Sequence, residues 1–161
     1  MYACDHRWWD AYGQDCIKTT NAERWIQNNE AQRDNDKEHY RAAKKWGCNI
    51  VYGRFCSGLG KEFIHYGENS GYQAINLAYL WGAAKIILLG FDMQATGGKV
   101  HFFGDHKQGL CNGPAFENIA PKFTPLAKDL KKEGVEVINC TRKTALTCFK
   151  RQDLKTVLQS L

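Results

Sequence analysis

The clearest pattern along the chain is a helical repeat of apolar positions followed by a short apolar run. Apolar residues stand at positions 74, 75, 77, 78, 80 and 81, which is the spacing of a helix that packs on a core. Ser70 predicts the N-cap of this helix, Gln73 completes a capping box and Gly82 predicts its end. Residues 85–89 then form a continuous apolar run, typical of a parallel strand covered on both faces. Helix and strand together form half of a βαβ unit.

Similar alternation of strands and helices extends over the rest of the chain. We predict strands at residues 1–4, 17–20, 49–52, 85–89 and 135–139, and helices at residues 7–12, 72–81, 116–132 and 153–161. Residues 22–45 are polar with a poor apolar stripe, which predicts a surface helix or a mobile insertion. The pattern predicts a single Rossmann-like α/β domain over residues 1–161. Its sheet is expected to be mainly parallel, with helices on both faces.

Composition excludes several classes of protein. With 161 residues, 43% of them hydrophobic, the chain can build one ordinary core. Its apolar runs are too short to span a membrane, and its start lacks the pattern of a signal peptide. The seven cysteines include no CxxC pair, so we expect reduced thiols in the cytoplasm. The net charge of +5 is scattered, so nucleic acid is not an expected partner.

Two polar segments beside the predicted helix and strand are candidate binding sites. Asn69, Ser70 and Gly71 open the helix, whose first N–H groups could hold a phosphate or a carboxylate. The alternative is a plain serine-capped helix. Asp92 follows the strand at residues 85–89, where open α/β sheets bind ligands. It could bond a ribose hydroxyl, orient a histidine or hold a metal-bound water, or it could only cap a turn.

Further candidates lie in two later segments. His101, Asp105 and His106 are the densest group of titratable side chains, which suits general acid–base catalysis and makes a divalent metal possible. Their spacing matches no standard zinc motif, and the alternative is a loop held only by hydrogen bonds. Asn139 and Arg142 end the last predicted strand, where Arg142 could form a phosphate fork or simply lie on the surface.

Several segments of the chain together resemble a group of uncharacterised bacteriophage and prophage proteins. They are residues 2–9, 69–78, 86–93, 101–106 and 138–141. More distantly, Ser70, Gly71 and the helix and strand that follow resemble 6-hydroxymethylpterin diphosphokinase-like proteins and bacterial sialyltransferases, which bind nucleotides on Rossmann-like folds. This resemblance implies that Ser70 and Gly71 contact a nucleotide and that His101 or His106 acts as the base. Such relatives carry a further N-terminal strand and phosphate loop, so the chain is expected to be an N-terminally shortened form.

The expected function is that of a phage-encoded, transferase-like protein of the host cytoplasm that binds a nucleotide sugar or a related phosphorylated donor. The expected catalytic residues are His101, His106, Asp92 and Asp105, and the expected binding residues are Asn69, Ser70, Gly71, Gln73, Asn139 and Arg142. The alternative is a non-catalytic module that sequesters a nucleotide signal or has a structural role in infection.

A homodimer is the expected assembly. A shortened sheet should expose an edge, and aromatic residues are common anchors of interfaces. The expected contact includes Tyr2, Trp8, Trp9 and Tyr12. Two alternatives stay open: residues 22–45 could fold back and leave a monomer, and the two adjacent tryptophans could form core and rim, or stack a base or a sugar.

Overall fold

Strands and helices alternate along the chain, as the sequence pattern predicts. A computed structural model describes residues 1–29, 36–101, 103–107, 110 and 116–160. Its strands are β1 (Tyr2–Ala3), β2 (Trp25–Asn29), β3 (Asn49–Arg54), β4 (Ile64–His65), β5 (Lys85–Leu88), β6 (Glu136–Asn139) and β7 (Lys150–Arg151). Its helices are α1 (His6–Thr19), α2 (Lys37–Trp46), α3 (Ser70–Leu80), α4 (Phe116–Ile119), α5 (Phe123–Lys132) and α6 (Leu154–Leu158), with a 3₁₀ turn at Ala120–Lys122 between α4 and α5.

The strands form two sheets. Sheet A has the order β1-β2-β3-β4 and sheet B has the order β5-β6-β7. Every strand pair of these sheets is parallel, which confirms the predicted Rossmann-like α/β class. The single sheet that the strand pattern predicts is instead divided between β1–β4 and β5–β7. Because the strands of each sheet run the same way, the segments that follow them gather at one edge.

The predicted strand at residues 17–20 is wrong, because residues 17–19 form the last turn of α1. Ile17 and Thr19 are β-branched and favour strands. The helix nevertheless continues, because its inner face, with Trp9, Gly13 and Cys16, is buried in the core. Tertiary packing here outweighs local propensity.

The surface helix that is one alternative predicted for residues 22–45 is present in part, because α2 exposes its charged face, but Trp25–Asn29 form a strand; residues 30–35 lie outside the described residues. This stretch contains β2 and most of α2. Ile26 of β2 is fully buried, and Ala42 and Ala43 of α2 are buried in the same cluster. The segment is therefore part of the core.

Two clusters of buried side chains form the main core. The cluster on sheet A contains Ala3, Trp9, Cys16, Ile26, Ala42, Ala43 and Trp46. The cluster on sheet B contains Leu59, Tyr72, Ile75, Leu88, Phe123, Leu126, Leu130, Val137, Leu146 and Phe149. Helix α3 links the two sheets, because it supplies Tyr72 and Ile75 to the second cluster while it contacts β1 and β4.

The expected interface residue Trp9 belongs to this core. Its side chain has no exposed surface, and its indole N–H donates to the carbonyl of Ala3. Trp8 is half-buried and packs against Trp9 and Tyr12. The structure therefore agrees with the alternative in which one of the two tryptophans lies in the core and the other lies at its edge.

Helix α3 begins and ends where the pattern predicts, but its cap differs. Asn69, not Ser70, is the N-cap, and its side-chain oxygen accepts the N–H groups of Gly71 and Tyr72 at 2.9 and 3.2 Å. Gln73 does not complete a capping box, because its amide donates to the carbonyl of Tyr66.

Among the helices of the described residues, none combines the length and the apolar character that crossing a membrane would require.

A loop of residues 55–63 joins β3 to its parallel neighbour β4, and these residues form no helix. Asn76 of α3, fully buried, holds this loop. Its Oδ1 accepts the N–H groups of Gly60 and His65 at 2.9 and 3.0 Å, and its Nδ2 donates to the carbonyl of Gly60. One side chain thus closes both ends of the turn that leads into β4.

Candidate functional site

A pocket of about 760 Å³ lies at the carboxyl ends of the sheet A strands, and we call it the sheet A pocket. Its walls come from the residues after β1, the end of β2, the start of α2 and the residues after β3 and β4. This is the edge at which open parallel sheets bind ligands. Position and volume therefore make it a candidate ligand site.

Two histidines lie edge to face in this pocket. The ring centroids of His6 and His39 are 4.9 Å apart. His39 Nδ1 is 2.8 Å from Asp36 Oδ1, and its Nε2 is 3.2 Å from the carbonyl oxygen of Cys4. Both neighbours are acceptors, so both contacts can be hydrogen bonds only if the imidazole carries two protons. Each ring nitrogen of His39 thus has a hydrogen-bond acceptor within reach.

His6 is held at one nitrogen only. Its Nε2 lies 3.0 Å from Glu38 Oε2. Its Nδ1 is buried and has no hydrogen-bond partner among the described residues. An Nε2–H that donates to the carboxylate leaves a lone pair on Nδ1. A carboxylate that orients an imidazole in this way is the arrangement of a general base.

Each carboxylate that lines the sheet A pocket has a basic neighbour. Glu68 lies 2.5 Å from Lys122, and Asp5 lies 2.5 Å from Arg7. Burial raises the pKa of Asp5, but the hydrogen bonds and the charge of Arg7 outweigh burial and bring that pKa below its usual value. Arg7 and Lys122 thus offset the charges of Asp5 and Glu68, whereas Asp36 and Glu38 lie against histidines.

The floor of the pocket is a chain of amides and phenols. Gln27 donates to the phenol oxygen of Tyr66 at 2.7 Å, and Tyr2 donates to the side chain of Gln73 at 2.5 Å. Burial raises the pKa of Tyr66 to about 12, so its phenol stays neutral. On the rim, Phe55 is 75% exposed, and its ring lies edge-on to Tyr66 with the centroids 4.8 Å apart. Fixed amides with an exposed ring suit a flat, polar ligand such as a base.

The predicted residues at the start of α3 lie beside this pocket. Gln73 lines it, and Ser70 Oγ is 3.0 Å from the sulfur of Cys4, which also lines it. Burial raises the pKa of Cys4, so its thiol stays protonated. A Cβ added to Gly71 would lie 2.7 Å from the ring of Phe91 and 2.9 Å from Asn69 Oδ1. Packing alone therefore requires a glycine at position 71, whether or not a ligand binds there.

Asp92 and Arg142 lie in a second pocket. This sheet B pocket has a volume of about 930 Å³ and lies at the carboxyl ends of β5 and β6, next to α6. Asp92 Oδ2 accepts a hydrogen bond from Thr96 at 3.1 Å. Asn139 is fully buried, and its oxygen accepts the N–H of Thr141 while its amide reaches Thr144. Asn139 thus shapes the loop beneath the pocket and does not line it.

The two histidines of the later loop form a third group. The rings of His101 and His106 are 4.4 Å apart, and His106 Nδ1 lies 3.4 Å from the hydroxyl of Tyr12 in α1. Burial, followed by the proximity of His101, lowers the pKa of His106. Asp105 is exposed, and Phe102 lies outside the described residues. This group lines neither of the two pockets.

The candidate residues are therefore divided among three places, and the strongest site contains residues that the sequence interpretation left out. His6 follows β1 just as Asp92 follows β5, so the same positional argument could have found it. His39 could not be found in this way, because β2 before it was not predicted. Within the described ranges, no group of three or more histidine, cysteine, aspartate or glutamate side chains is arranged to hold a metal ion.

Comparison of the chain with protein-family models, with curated proteins and with solved structures finds no match.

Proposed function

We propose that the chain binds a nucleotide or a nucleotide sugar in the sheet A pocket and is transferase-like. The observation that carries the proposal is the state of His6 in that pocket. Glu38 orients its ring, and Nδ1 is buried without a hydrogen-bond partner among the described residues. A parallel sheet edge supplies the binding place and the oriented imidazole supplies the base.

The groups of the pocket suit the parts of such a ligand. Phe55 offers an exposed ring on which a base can stack, while Gln27 and Tyr66 offer polar atoms to its edge or to a ribose. The phosphates would lie toward Ser70 and Gln73 at the start of α3, and they would have to compete with Asn69 for the N–H groups of Gly71 and Tyr72. The pairing of Asp5 with Arg7 and of Glu68 with Lys122 reduces the repulsion that an anionic ligand would meet.

In a glycosyl transfer, His6 Nδ1, which is covered in the free structure, would have to be uncovered when the acceptor binds, and would then take the proton of the acceptor hydroxyl. The acceptor oxygen forms a bond to the anomeric carbon, and the bond from that carbon to the phosphate oxygen breaks. The leaving nucleotide keeps the electron pair, and the proton remains on His6 until it passes to water. His6 thereby takes the role that the resemblance assigns to His101 or His106.

Calorimetry and turnover assays against a panel of nucleotides and nucleotide sugars test this proposal. We expect one member to bind. His6→Gln should lower turnover by about 10²–10⁴-fold while affinity stays within a few-fold. His106→Gln is the matched control and should leave turnover unchanged. No binding across the panel would refute the proposal, and turnover that depends on His106 instead of His6 would refute the proposed base.

A second candidate function is a binding module that sequesters a nucleotide signal. It is favoured by the mutual pairing of Tyr2, Gln73, Tyr66 and Gln27, because a preformed polar floor holds a ligand without any reaction. In this case the panel would reveal binding without turnover, and His6→Gln would change affinity alone.

A phage origin, a place in the host cytoplasm and a homodimer belong to the same proposal. The six described cysteines form no disulfide, which is common in a reducing compartment. Since Trp9 is buried in the core, the dimer contact would have to use Trp8 and its half-buried neighbours. Light scattering tests the assembly: a dimer that Trp8→Ala dissociates supports the contact, and a monomer at micromolar concentration refutes it.

A further inference from the structure

The sheet B pocket is separate from the proposed nucleotide site, because the two pockets share no lining residue. Its volume of about 930 Å³ lies within the range of sites for small ligands. Two kinds of side chain line it. Leucines form an apolar wall, and three further lining residues are cationic.

The apolar wall consists of two exposed leucines and of Leu154, which packs against the buried cluster of Ile138, Cys140 and Val157. Leu89 after β5 and Leu158 of α6 are each 56% exposed, and Leu154 of α6 is half-buried. All three line the pocket. When a ligand covers apolar side chains in a concave surface, their removal from water contributes favourably to the free energy of binding. An aliphatic or aromatic group would therefore bind here.

The cationic residues are Arg142, Lys143 and Lys155. In the part of the chain that the structure describes, none of them forms an ion pair with a carboxylate. The turn that carries Arg142 is fixed, because the guanidinium of Arg151 donates to the carbonyls of Thr141 and Arg142 at 3.0 and 2.9 Å. Arginine and lysine presented in this way attract a phosphate or a carboxylate.

The two carboxylates of the pocket are already engaged. Asp92 accepts from the hydroxyl of Thr96, and Asp153 accepts from the backbone N–H of Thr156 as the N-cap of α6. With three cations and two carboxylates, the lining carries a net positive charge. The pocket thus combines an apolar wall with a net positive charge.

We propose that the sheet B pocket binds a small amphipathic anion. Its ligand has an apolar or aromatic body that packs on Leu89, Leu154 and Leu158, and one phosphate or carboxylate group that binds Arg142 and Lys143. This site does not depend on the nucleotide proposed for the sheet A pocket, and it assigns Asp92 and Arg142 to a second ligand.

Calorimetry on the full chain with four probes tests this site. 1-Naphthyl phosphate and 1-naphthoate each carry an aromatic body and an anionic group, while 1-naphthol lacks the charge and inorganic phosphate lacks the body. We expect at least one of the two amphipathic probes to bind, and 1-naphthol and inorganic phosphate each to bind at least tenfold more weakly. The tighter of the first two probes identifies the headgroup that the cations prefer.

Variants locate the binding. Arg142→Gln combined with Lys143→Gln should weaken the amphipathic probe at least tenfold, and Leu158→Asp should do the same through the apolar wall. Lys131→Gln, which removes one positive charge from an exposed position of α5, controls for loss of surface charge, and His6→Gln controls for the sheet A pocket; both should leave the affinity unchanged. Circular dichroism checks that each variant is folded.

Three results would overturn the proposal. One is the absence of binding by all four probes. Another is equal affinity for 1-naphthol and the amphipathic anions, which would mean that charge plays no part. The third is equal binding by the Arg142/Lys143 double variant and the Lys131→Gln control. Each of these results leaves the nucleotide proposal untouched, because that proposal is tested on other ligands and on His6.

Discussion

At the scale of single residues, two buried asparagines have opposite environments. Asn28 in β2 and Asn76 in α3 both have no exposed surface. Both polar atoms of the Asn28 side chain lack a hydrogen-bond partner among the described residues, whereas Asn76 makes three hydrogen bonds. A buried amide without partners costs about 1–3 kcal/mol, so one asparagine weakens the fold and the other supports it.

The same substitution should therefore have opposite effects at these two positions. Asn28→Val removes an unpaired amide and places a β-branched residue in a strand, so we expect the free energy of unfolding to rise by about 1 kcal/mol. Asn76→Val leaves the N–H groups of Gly60 and His65 without their acceptor, and we expect a loss of about 2–4 kcal/mol. Urea denaturation of both variants measures the difference, and a loss of stability with Asn28→Val would contradict the interpretation.

His106 should make stability depend on pH. Burial lowers its pKa below the ordinary value of 6.5, so the unfolded chain binds this proton more readily than the folded one. The free energy of unfolding should then fall as the pH drops below about 6.5 and continue to fall until the pH passes the lowered pKa. Urea midpoints from about pH 7.5 to about pH 5 should decline more steeply for the natural chain than for His106→Asn. Parallel curves would contradict this prediction.

At the scale of elements, a glycine in α1 controls how α1 meets α2. A Cβ added to Gly13 would lie 2.6 Å from the ring of Trp46. Glycine to alanine inside a helix ordinarily stabilises by about 1 kcal/mol. Here the overlap should outweigh that gain, so that Gly13→Ala lowers the free energy of unfolding by about 1–3 kcal/mol. Gln14→Ala, at an exposed position of the same helix, is the control and should be close to neutral; a stabilising Gly13→Ala would show that Trp46 can move aside.

The elements that the sequence predicts well are those whose local signals agree. In α3, the apolar spacing, the polar start and Gly82 at the end all indicate the same helix. β2 was missed because Gln27, Asn28 and Asn29 are unusual in a strand. Gln27 and Asn29 line the sheet A pocket, and their polar side chains remove the apolar pattern by which a strand is recognised in a sequence.

The candidate site could be predicted only in part for a related reason. Position after a strand correctly indicates residues that line pockets, such as Asp92 and Arg142. Which pocket they share depends on how the strands divide between two sheets, and local sequence contains no signal for that division. The loop of His101 and His106 packs on α1 through Tyr12, a contact between residues about ninety positions apart along the chain.

At the scale of the whole molecule, the two core clusters should unfold together. Four of the five tryptophans belong to sheet A or its helices, and the fifth, Trp81, packs on Trp25 of β2. Tryptophan fluorescence therefore reports on the sheet A side, while far-UV circular dichroism reports on the entire chain. Since α3 joins the two sides, we expect one cooperative transition, as is usual for a single domain of this size.

Leu130→Ala tests this cooperativity, because Leu130 belongs to the sheet B cluster. The substitution should lower the free energy of unfolding by about 2–5 kcal/mol. If the chain is one domain, the urea midpoint should fall equally by fluorescence and by circular dichroism. Ile26→Ala in the sheet A cluster is the reciprocal variant. A fluorescence midpoint that Leu130→Ala leaves unchanged would divide the chain into two domains.

The loop at residues 55–63 has the appearance of a surface connection, yet Asn76 ties its backbone to the centre of α3. An amide proton held by a buried side chain exchanges with solvent only when that contact opens. In deuterium oxide, the amides of Gly60 and His65 should therefore exchange as slowly as the amides of α3. In the Asn76→Val variant, these two amides should exchange orders of magnitude faster than the amides of α3. The rate at which the backbone of this loop opens to solvent is then set by α3, a helix that follows the loop in the chain.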